Sequence, residues 1–324
     1  MSYQVSYAQT YAPVAYGMQQ PLVSQKKRSN SGCCVGCCAG FCCCCVVVLL
    51  IAVFTAAGLG FWYFLNICDH TSNLKTIEHN QSFDYSANMK ITVFATQGSV
   101  EVAASPDDRL HVFVKEETDG LLNSTDISLV GNDLLVSVNE NVLQWFRCHQ
   151  YTIIVYIPSA AVDEVSIALG KTKKGCSAGV LVSRPLSLRK GDLVTGTGGI
   201  QVNDVEFDSS FVVTSGVGKV SIDSIRGKGV DSELTLTSGT GKIEISSLSS
   251  TNAELTSGTG AVYVTVAEFW TGTFEITGRS IETFGSRVSV TDKKSREVKG
   301  FVGSESPYEV AVTSGTGKVV FKAL

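Results

Sequence analysis

The first 66 residues contain no aspartate or glutamate. All 30 acidic residues lie beyond them, together with 23 of the 26 basic ones. The amino-terminal segment is therefore +3 and the remainder 23 − 30 = −7. That acidic balance excludes nucleic-acid binding, which requires clustered Lys and Arg. Cysteine is nearly missing from the long segment too: beyond Cys45 there are only Cys68, Cys148 and Cys176. A disulfide scaffold is thus excluded, and the segment must be held by its own apolar core. Helical periodicity is also lacking after Leu65, where no stretch of ten residues repeats at 3.6.

What is present first is Val46–Leu65, VVVLLIAVFTAAGLGFWYFL, twenty residues without a charge. At about 1.5 Å per residue a helix of this length spans roughly 30 Å, the hydrocarbon thickness of a bilayer. Gly58 and Gly60 are tolerated in membrane helices, and Phe61-Trp62-Tyr63-Phe64 suits the headgroup boundary. About 45 residues precede the run, which favours an uncleaved signal-anchor over a cleaved signal peptide. Lys26, Lys27 and Arg28 precede it, so the positive-inside bias places the amino terminus in the cytosol. The expected localisation is a cell membrane, single-pass, with the carboxy-terminal region extracellular or lumenal.

Residues 1–32 read as a disordered cytosolic tail, in which Tyr3, Tyr7, Tyr11 and Tyr16 recur among Gln, Ala, Ser and Pro. Residues 33–45 hold eight cysteines: Cys33, Cys34, Cys37, Cys38, Cys42, Cys43, Cys44 and Cys45. Beside a membrane helix such a cluster is an expected S-palmitoylation site, and each acyl chain would add apolar anchoring. A thiolate zinc site is the competing reading, but zinc favours separated pairs on a folded knuckle. An unmodified apolar extension of the helix is the third.

Residues 66–90 read as a polar neck. Asn80-Gln81-Ser82 and Asn123-Ser124-Thr125 are N-glycosylation sequons on the predicted lumenal side. From residue 91 apolar residues alternate at period two in Ile91-Thr-Val-Phe, Gly98-Ser-Val-Glu-Val, Leu110-His-Val-Phe-Val, Leu134-Leu-Val-Ser-Val and Tyr151-Thr-Ile-Ile-Val-Tyr-Ile, the last ended by Pro158. A repeat then takes over: Val194-TGTGGIQV, Val213-TSGVGKVSI, Leu236-TSGTGKIEI, Leu255-TSGTGAVYV, Ile276-TGRSIETF and Val312-TSGTGKVVF. Its marker glycines Gly196, Gly216, Gly239, Gly258, Gly278 and Gly315 are 20, 23, 19, 20 and 37 residues apart. The long step contains Asp292-KKSREVKGFVGSESP, which reads as an expanded loop.

A period near 20 in an all-β sequence predicts a single-stranded parallel β-solenoid over residues 91–324, with an antiparallel sandwich or barrel as the alternative. Glycine would serve tight corners, Thr and Ser would bond between coils, and Val and Ile would stack inside. Lys219, Lys242 and Lys318 share one repeat position and should face water as a row of like charges, broken by Ala261. At 20 residues per coil, the region from Gly98 holds about eleven coils, a stack of about 50 Å. The segments Gly98-Ser-Val-Glu-Val, Ile154-Val-Tyr-Ile-Pro, the Thr-Ser-Gly-x-Gly repeats and Lys299-Gly-Phe-Val-Gly303 together resemble the putative adhesin domains, a family of β-solenoid-like surface domains. The resemblance implies such a fold over about residues 90–324 and supplies no catalytic residues.

Motifs of catalysis fail in context. Gly175-Cys-Ser-Ala-Gly179 has the G-x-S-x-G spacing of a nucleophile elbow, but no helix can follow it. Gly170-Lys171-Thr172 lacks the earlier glycine of a phosphate loop, since Val165 stands there. Asp204, Glu206 and Asp208 alternate on one strand face, as polysaccharide-acting β-helices or a calcium site would have them; a solvated outer face explains them equally. His70, His79, His111 and His149 have no ligand spacing. Cys148 and Cys176 could close a loop of 28 residues, leaving Cys68 unpaired.

Taken together, these residues predict a non-enzymatic, membrane-anchored surface protein that binds a protein or glycan, without cofactor or metal. A carbohydrate-active enzyme on a β-helix is one alternative. A membrane organiser that self-associates through its tail and ectodomain is another.

Overall fold

The computed structural model describes residues 75–324 except 87, 119–124, 139–148, 159–160, 173–178, 230, 250–251 and 305. Every regular element among them is a strand. In chain order these are β1 (Lys75–Asp84), β2 (Lys90–Ala104), β3 (Arg109–Thr118), β4 (Thr125–Val130), β5 (Asp133–Val138), β6 (His149–Ile157) and β7 (Ala161–Thr172). Then come β8 (Val180–Val182), β9 (Leu186–Thr197), β10 (Ile200–Val217), β11 (Val220–Gly227), β12 (Glu233–Thr240), β13 (Ile243–Ser249) and β14 (Asn252–Ser257). The last are β15 (Val262–Val266), β16 (Gly272–Thr277), β17 (Ser280–Phe284), β18 (Val288–Lys293), β19 (Glu297–Val302), β20 (Glu309–Ser314) and β21 (Lys318–Ala323).

The strands form two ladders. One runs β5–β2–β7–β9–β10–β12–β14–β20–β16, all parallel. Antiparallel strands close it, β4 at one end and the β19–β18 hairpin at the other. The second runs β6–β2–β8–β10–β11–β13–β15–β21–β17, also parallel. It is extended at its β6 end by antiparallel β3 and then β1. β2 and β10 belong to both ladders, one half in each. In β10 the change falls at a register shift between Phe207 and Ser210.

The period-two pattern predicts which side chains turn inward. Val100, Val102, Ile153, Ile200, Ile222, Ile243, Val264 and Phe321 are buried, and the buried residues of both ladders form one core. Each buried Val or Ile contributes about 1.5–3 kcal/mol, so stacking of coils stabilises the described residues, all of whose regular elements are strands.

Four expectations are corrected. Lys75–Asp84, assigned to the neck, is a strand hydrogen-bonded along its length to β3, so the domain begins before residue 91. The stretch after Asp292 is not a loop: Val288–Lys293 and Glu297–Val302 form an antiparallel hairpin, paired through Lys293↔Val298. The first ladder has nine parallel strands rather than about eleven, a stack of about 38 Å at 4.8 Å per step, because the β3, β4 and β18–β19 excursions consume chain without adding a coil. Chain order is not spatial order either. The final repeat, β20–β21, lies between β14–β15 and β16–β17.

No helix among the described residues is long and apolar enough to cross a membrane; Val46–Leu65 lies outside them. The cysteines Cys33–Cys45, the sequon residue Asn123, and Cys148 and Cys176 also lie outside the described residues.

Candidate functional site

The repeat is explained by its corners. Gly170, Gly196, Gly216, Gly239, Gly258 and Gly315 form a column, each against the backbone carbonyl of the previous coil. A Cβ on any of the last five would stand 2.3–2.5 Å from the oxygen of the glycine before it. That is closer than any side chain can come, so close approach of backbones demands glycine here. Gly278, one of the marker glycines, is not in the column; its nearest neighbour is the Val319 side chain. Gly170, outside the marker set, is in it.

The serines of Thr-Ser-Gly-x-Gly form a second column. Ser215, Ser238, Ser257 and Ser314 are buried, and their Oγ donate to the carbonyls of Gly198, Gly218, Gly241 and Gly260 at 3.0, 3.2, 3.0 and 2.8 Å. Ser257 and Ser314 also accept from the N–H of Gly260 and Gly317 at 2.9 Å each. The corner is thus stitched by hydroxyls, which Val could not supply; in the first of these coils Thr195 holds the serine position and its Oγ1 donates to the Gly198 carbonyl at 3.1 Å.

The outer faces are electrostatically paired. Glu244 lies between Lys219 (2.7 Å) and Lys242 (3.1 Å), while Lys242 stands over the Tyr263 ring and Lys318 meets Glu282 at 2.7 Å. The lysine row therefore carries its own counter-charges. Lys219, then Lys242, hold the Glu244 carboxyl below its ordinary value. Glu206 meets Arg226 at 3.2 Å and Asp208 meets Lys228 at 3.5 Å on the adjacent strand. Two of the three carboxylates considered for sugar chemistry are thus engaged with cations. No cluster of metal-ligating side chains occurs among the described residues. After the G-x-S-x-G spacing, residues 180–182 are a strand rather than a helix, which disqualifies the elbow.

One constellation was not legible in the sequence. On the outer face of β1 and β3, Ser82 Oγ lies 2.7 Å from His111 Nδ1, and Asp107 Oδ1 lies 2.7 Å from His111 Nε2. Asp107 accepts a second bond from the Arg109 N–H at 2.9 Å. The His111 imidazole, then that N–H, hold the Asp107 carboxyl below its ordinary value. Because an ionised carboxylate only accepts, His111 donates from Nε2, leaving Nδ1 of the neutral ring to accept the Ser82 hydroxyl. Ser82 and His111 are directly opposite in the antiparallel register, 29 residues apart in sequence. Only the strand pairing reveals them as neighbours. Ser82 and Asp107 are exposed, whereas nucleophilic serine chemistry works in a water-excluded site with donors preset for the oxyanion. Here the relay acts as a clip fastening β1 to the turn before β3.

Beside the relay is an open groove of about 540 Å³ lined by Asn80, Ala104, Pro106, His111, Phe113, Ile154 and Tyr156. The strand register explains it: Asn80 opposes Phe113, which opposes Ile154, and His111 opposes Tyr156, all on the outer face. The sequon residue Asn80 thus stands exposed at the wall of an apolar-floored hollow.

Two parallel ladders joined by glycine-serine corners define a β-solenoid. The chain belongs to the Toastrack DUF4097 family, whose description matches residues 75–280. Residues 6–51 match a second family, the cysteine-rich TM module of stress tolerance. Among solved structures, a putative adhesin from Bacteroides fragilis is similar at 12% identity and TM-score 0.37, covering 77% of this chain and 97% of its own. A putative lipid binding protein from Parabacteroides distasonis is similar at 10% identity and TM-score 0.38, over 78% and 98%. A putative cell adhesion protein from Clostridium sporogenes is similar at 12% and 0.35, over 77% and 100%. No curated protein matches the chain.

Proposed function

We propose that this protein is a single-pass membrane protein that displays its Toastrack solenoid outside the cytosol as a non-enzymatic binding or adhesion surface. The observation that carries the reading is the position of the uncharged twenty-residue stretch Val46–Leu65, which ends ten residues before β1 begins at Lys75. The match of residues 6–51 to a cysteine-rich membrane module supports membrane association of the amino-terminal part. In this reading Cys33–Cys45 face the cytosol and carry acyl chains beside the helix. Paired outer carboxylates favour recognition of a protein or glycan over turnover.

The test is impermeant labelling of intact cells expressing the full chain tagged at either end. The carboxy-terminal tag should label on intact cells and the amino-terminal tag only after permeabilisation; the reverse pattern refutes the topology. Binding to cells, matrix or a glycan panel should then be retained without any consumption of the ligand, and absence of binding across all three refutes the adhesive role.

A further inference from the structure

We infer that Asn80 carries an N-linked glycan whose first sugars lie in the Phe113–Ile154–Tyr156 groove. The inference rests on the topology proposed above and goes beyond it by assigning the groove an occupant from the chain itself.

Three observations converge. Asn80-Gln81-Ser82 is a complete sequon, and Asn80 is exposed. The Asn80 side chain is itself part of the groove wall, so a sugar on its amide begins at the hollow rather than travelling to it. The residue directly opposite Asn80 is Phe113, and opposite pairs in an antiparallel ladder hold their Cβ atoms about 4.5–5.5 Å apart. A pyranose has an apolar C–H face and polar edges. The floor offers Phe113, Ile154 and Tyr156 to that face, while the rim offers His111. The hollow of about 540 Å³ accommodates one or two sugar rings. Tethering makes this contact intramolecular, so it needs none of the affinity that a free sugar would.

The same geometry orders events. Transfer forms a bond from Asn80 Nδ2 to the anomeric carbon of an oligosaccharide delivered as a polyprenyl diphosphate. The bond from that carbon to the diphosphate oxygen breaks, the diphosphate leaves with the electron pair, and the amide gives up one proton. The sequon is read through the Ser82 hydroxyl, yet in the folded domain that hydroxyl is bonded to His111 and the β1 backbone is paired from Lys75 to Asp84. Asn80 must therefore be modified before β1 docks on β3.

The experiment uses the full chain expressed in a glycosylating eukaryotic cell, with gel mobility before and after amidase removal of N-glycans. Asn80→Gln and Ser82→Ala should each abolish the Asn80 shift, and Ser82→Thr should restore it. In the native protein the Asn80 glycan should be released by the amidase at least fivefold more slowly than from the denatured chain. Phe113→Ser or Tyr156→Ser should remove that protection. Enzymatic removal should lower the melting temperature by about 2–4 °C, the response to ~1 kcal/mol in a domain of this size. If surface labelling places the domain outside while Asn80→Gln leaves mobility unchanged, the inference is overturned and the topology stands. If labelling places the domain in the cytosol, both fall. A glycan released equally fast from native and denatured protein overturns its placement in the groove.

Discussion

Replacing Gly239 by alanine should destabilise the domain although it adds a single methyl group. The new Cβ would stand 2.5 Å from the Gly216 carbonyl oxygen and 3.5 Å from its carbon. Ordinary contact begins near 3.4 Å, so the two coils must separate locally by about 0.5–0.9 Å, from a spacing of about 4.8 Å. Inter-strand N–H···O bonds near 2.9 Å would then leave the favourable range. Two or three such bonds at about 1 kcal/mol each give a cost of about 2–3 kcal/mol, in line with the ~1–3 kcal/mol of overpacking elsewhere. Alanine's advantage over glycine in an extended strand returns about 0.5–1 kcal/mol. The net of about 1–2.5 kcal/mol corresponds to a loss of about 2–10 °C in melting temperature. Gly229 provides the control, because a Cβ there meets nothing within 4 Å. Gly229→Ala should be neutral or stabilise by up to about 1 kcal/mol. The assay is thermal unfolding of the two purified variants beside the parent. Equal melting of Gly239→Ala and Gly229→Ala would refute the argument that backbone contact, rather than backbone freedom, fixes glycine in this column.

Ser257→Ala removes a hydroxyl that donates to Gly241 and accepts from Gly260, and should cost about 1–2 kcal/mol in denaturant unfolding; a change in midpoint within error would mean that water replaces it. Glu244 has a folded pKa below its unfolded value near 4.3. Its contribution is therefore present above that value and lost as pH falls through the folded one. The melting difference between the parent and Glu244→Gln should be full at pH 6 and shrink progressively as the pH falls below the unfolded value; a pH-independent difference would sink this. Ending the chain after Gly303 removes β20 and β21, including buried Val310, Val312, Val319 and Phe321. Limited proteolysis should then cleave throughout 272–303, and a protected fragment there would contradict the intercalated order.

Alternation and the twenty-residue period made the strands, the inward Val and Ile positions and the parallel stacking readable from sequence, because each depends on neighbours close along the chain. Pro158 did end its strand, at Ile157. What escaped depends on register between distant segments. Ser82, Asp107 and His111 span only two short stretches, but nothing local says that residue 82 opposes residue 111. The lysine row looked repulsive because Glu244 and Glu282 occupy strand positions rather than the repeated corner. Asp292-Lys-Lys-Ser read as loop because β18 ends in polar Thr291-Asp292-Lys293 and is exposed over most of its length. Gly278 shared the motif but not the column, since the register Ile276↔Val312 and Thr277↔Thr313 brings it level with Ser314, one position short of Gly315.

The placement of β20–β21 between β14–β15 and β16–β17 has a consequence for synthesis. A chain emerging amino-terminus first, at about 5–20 residues per second, can add coils in order only as far as β15. When Gly272–Phe284 appears, the strands that will become its neighbours have not been made. Stacking directly on β14–β15 at that moment would occupy the berth of the final repeat and would have to be undone. From Gly272 to Ala323 the ribosome needs roughly 3–10 seconds, during which the β14–β15 edge waits uncovered. Strands β20 and β21, translated after β16 and β17, thus lock the domain, and a quality-control machinery sampling exposed edges would read any chain stalled short of them as unfinished.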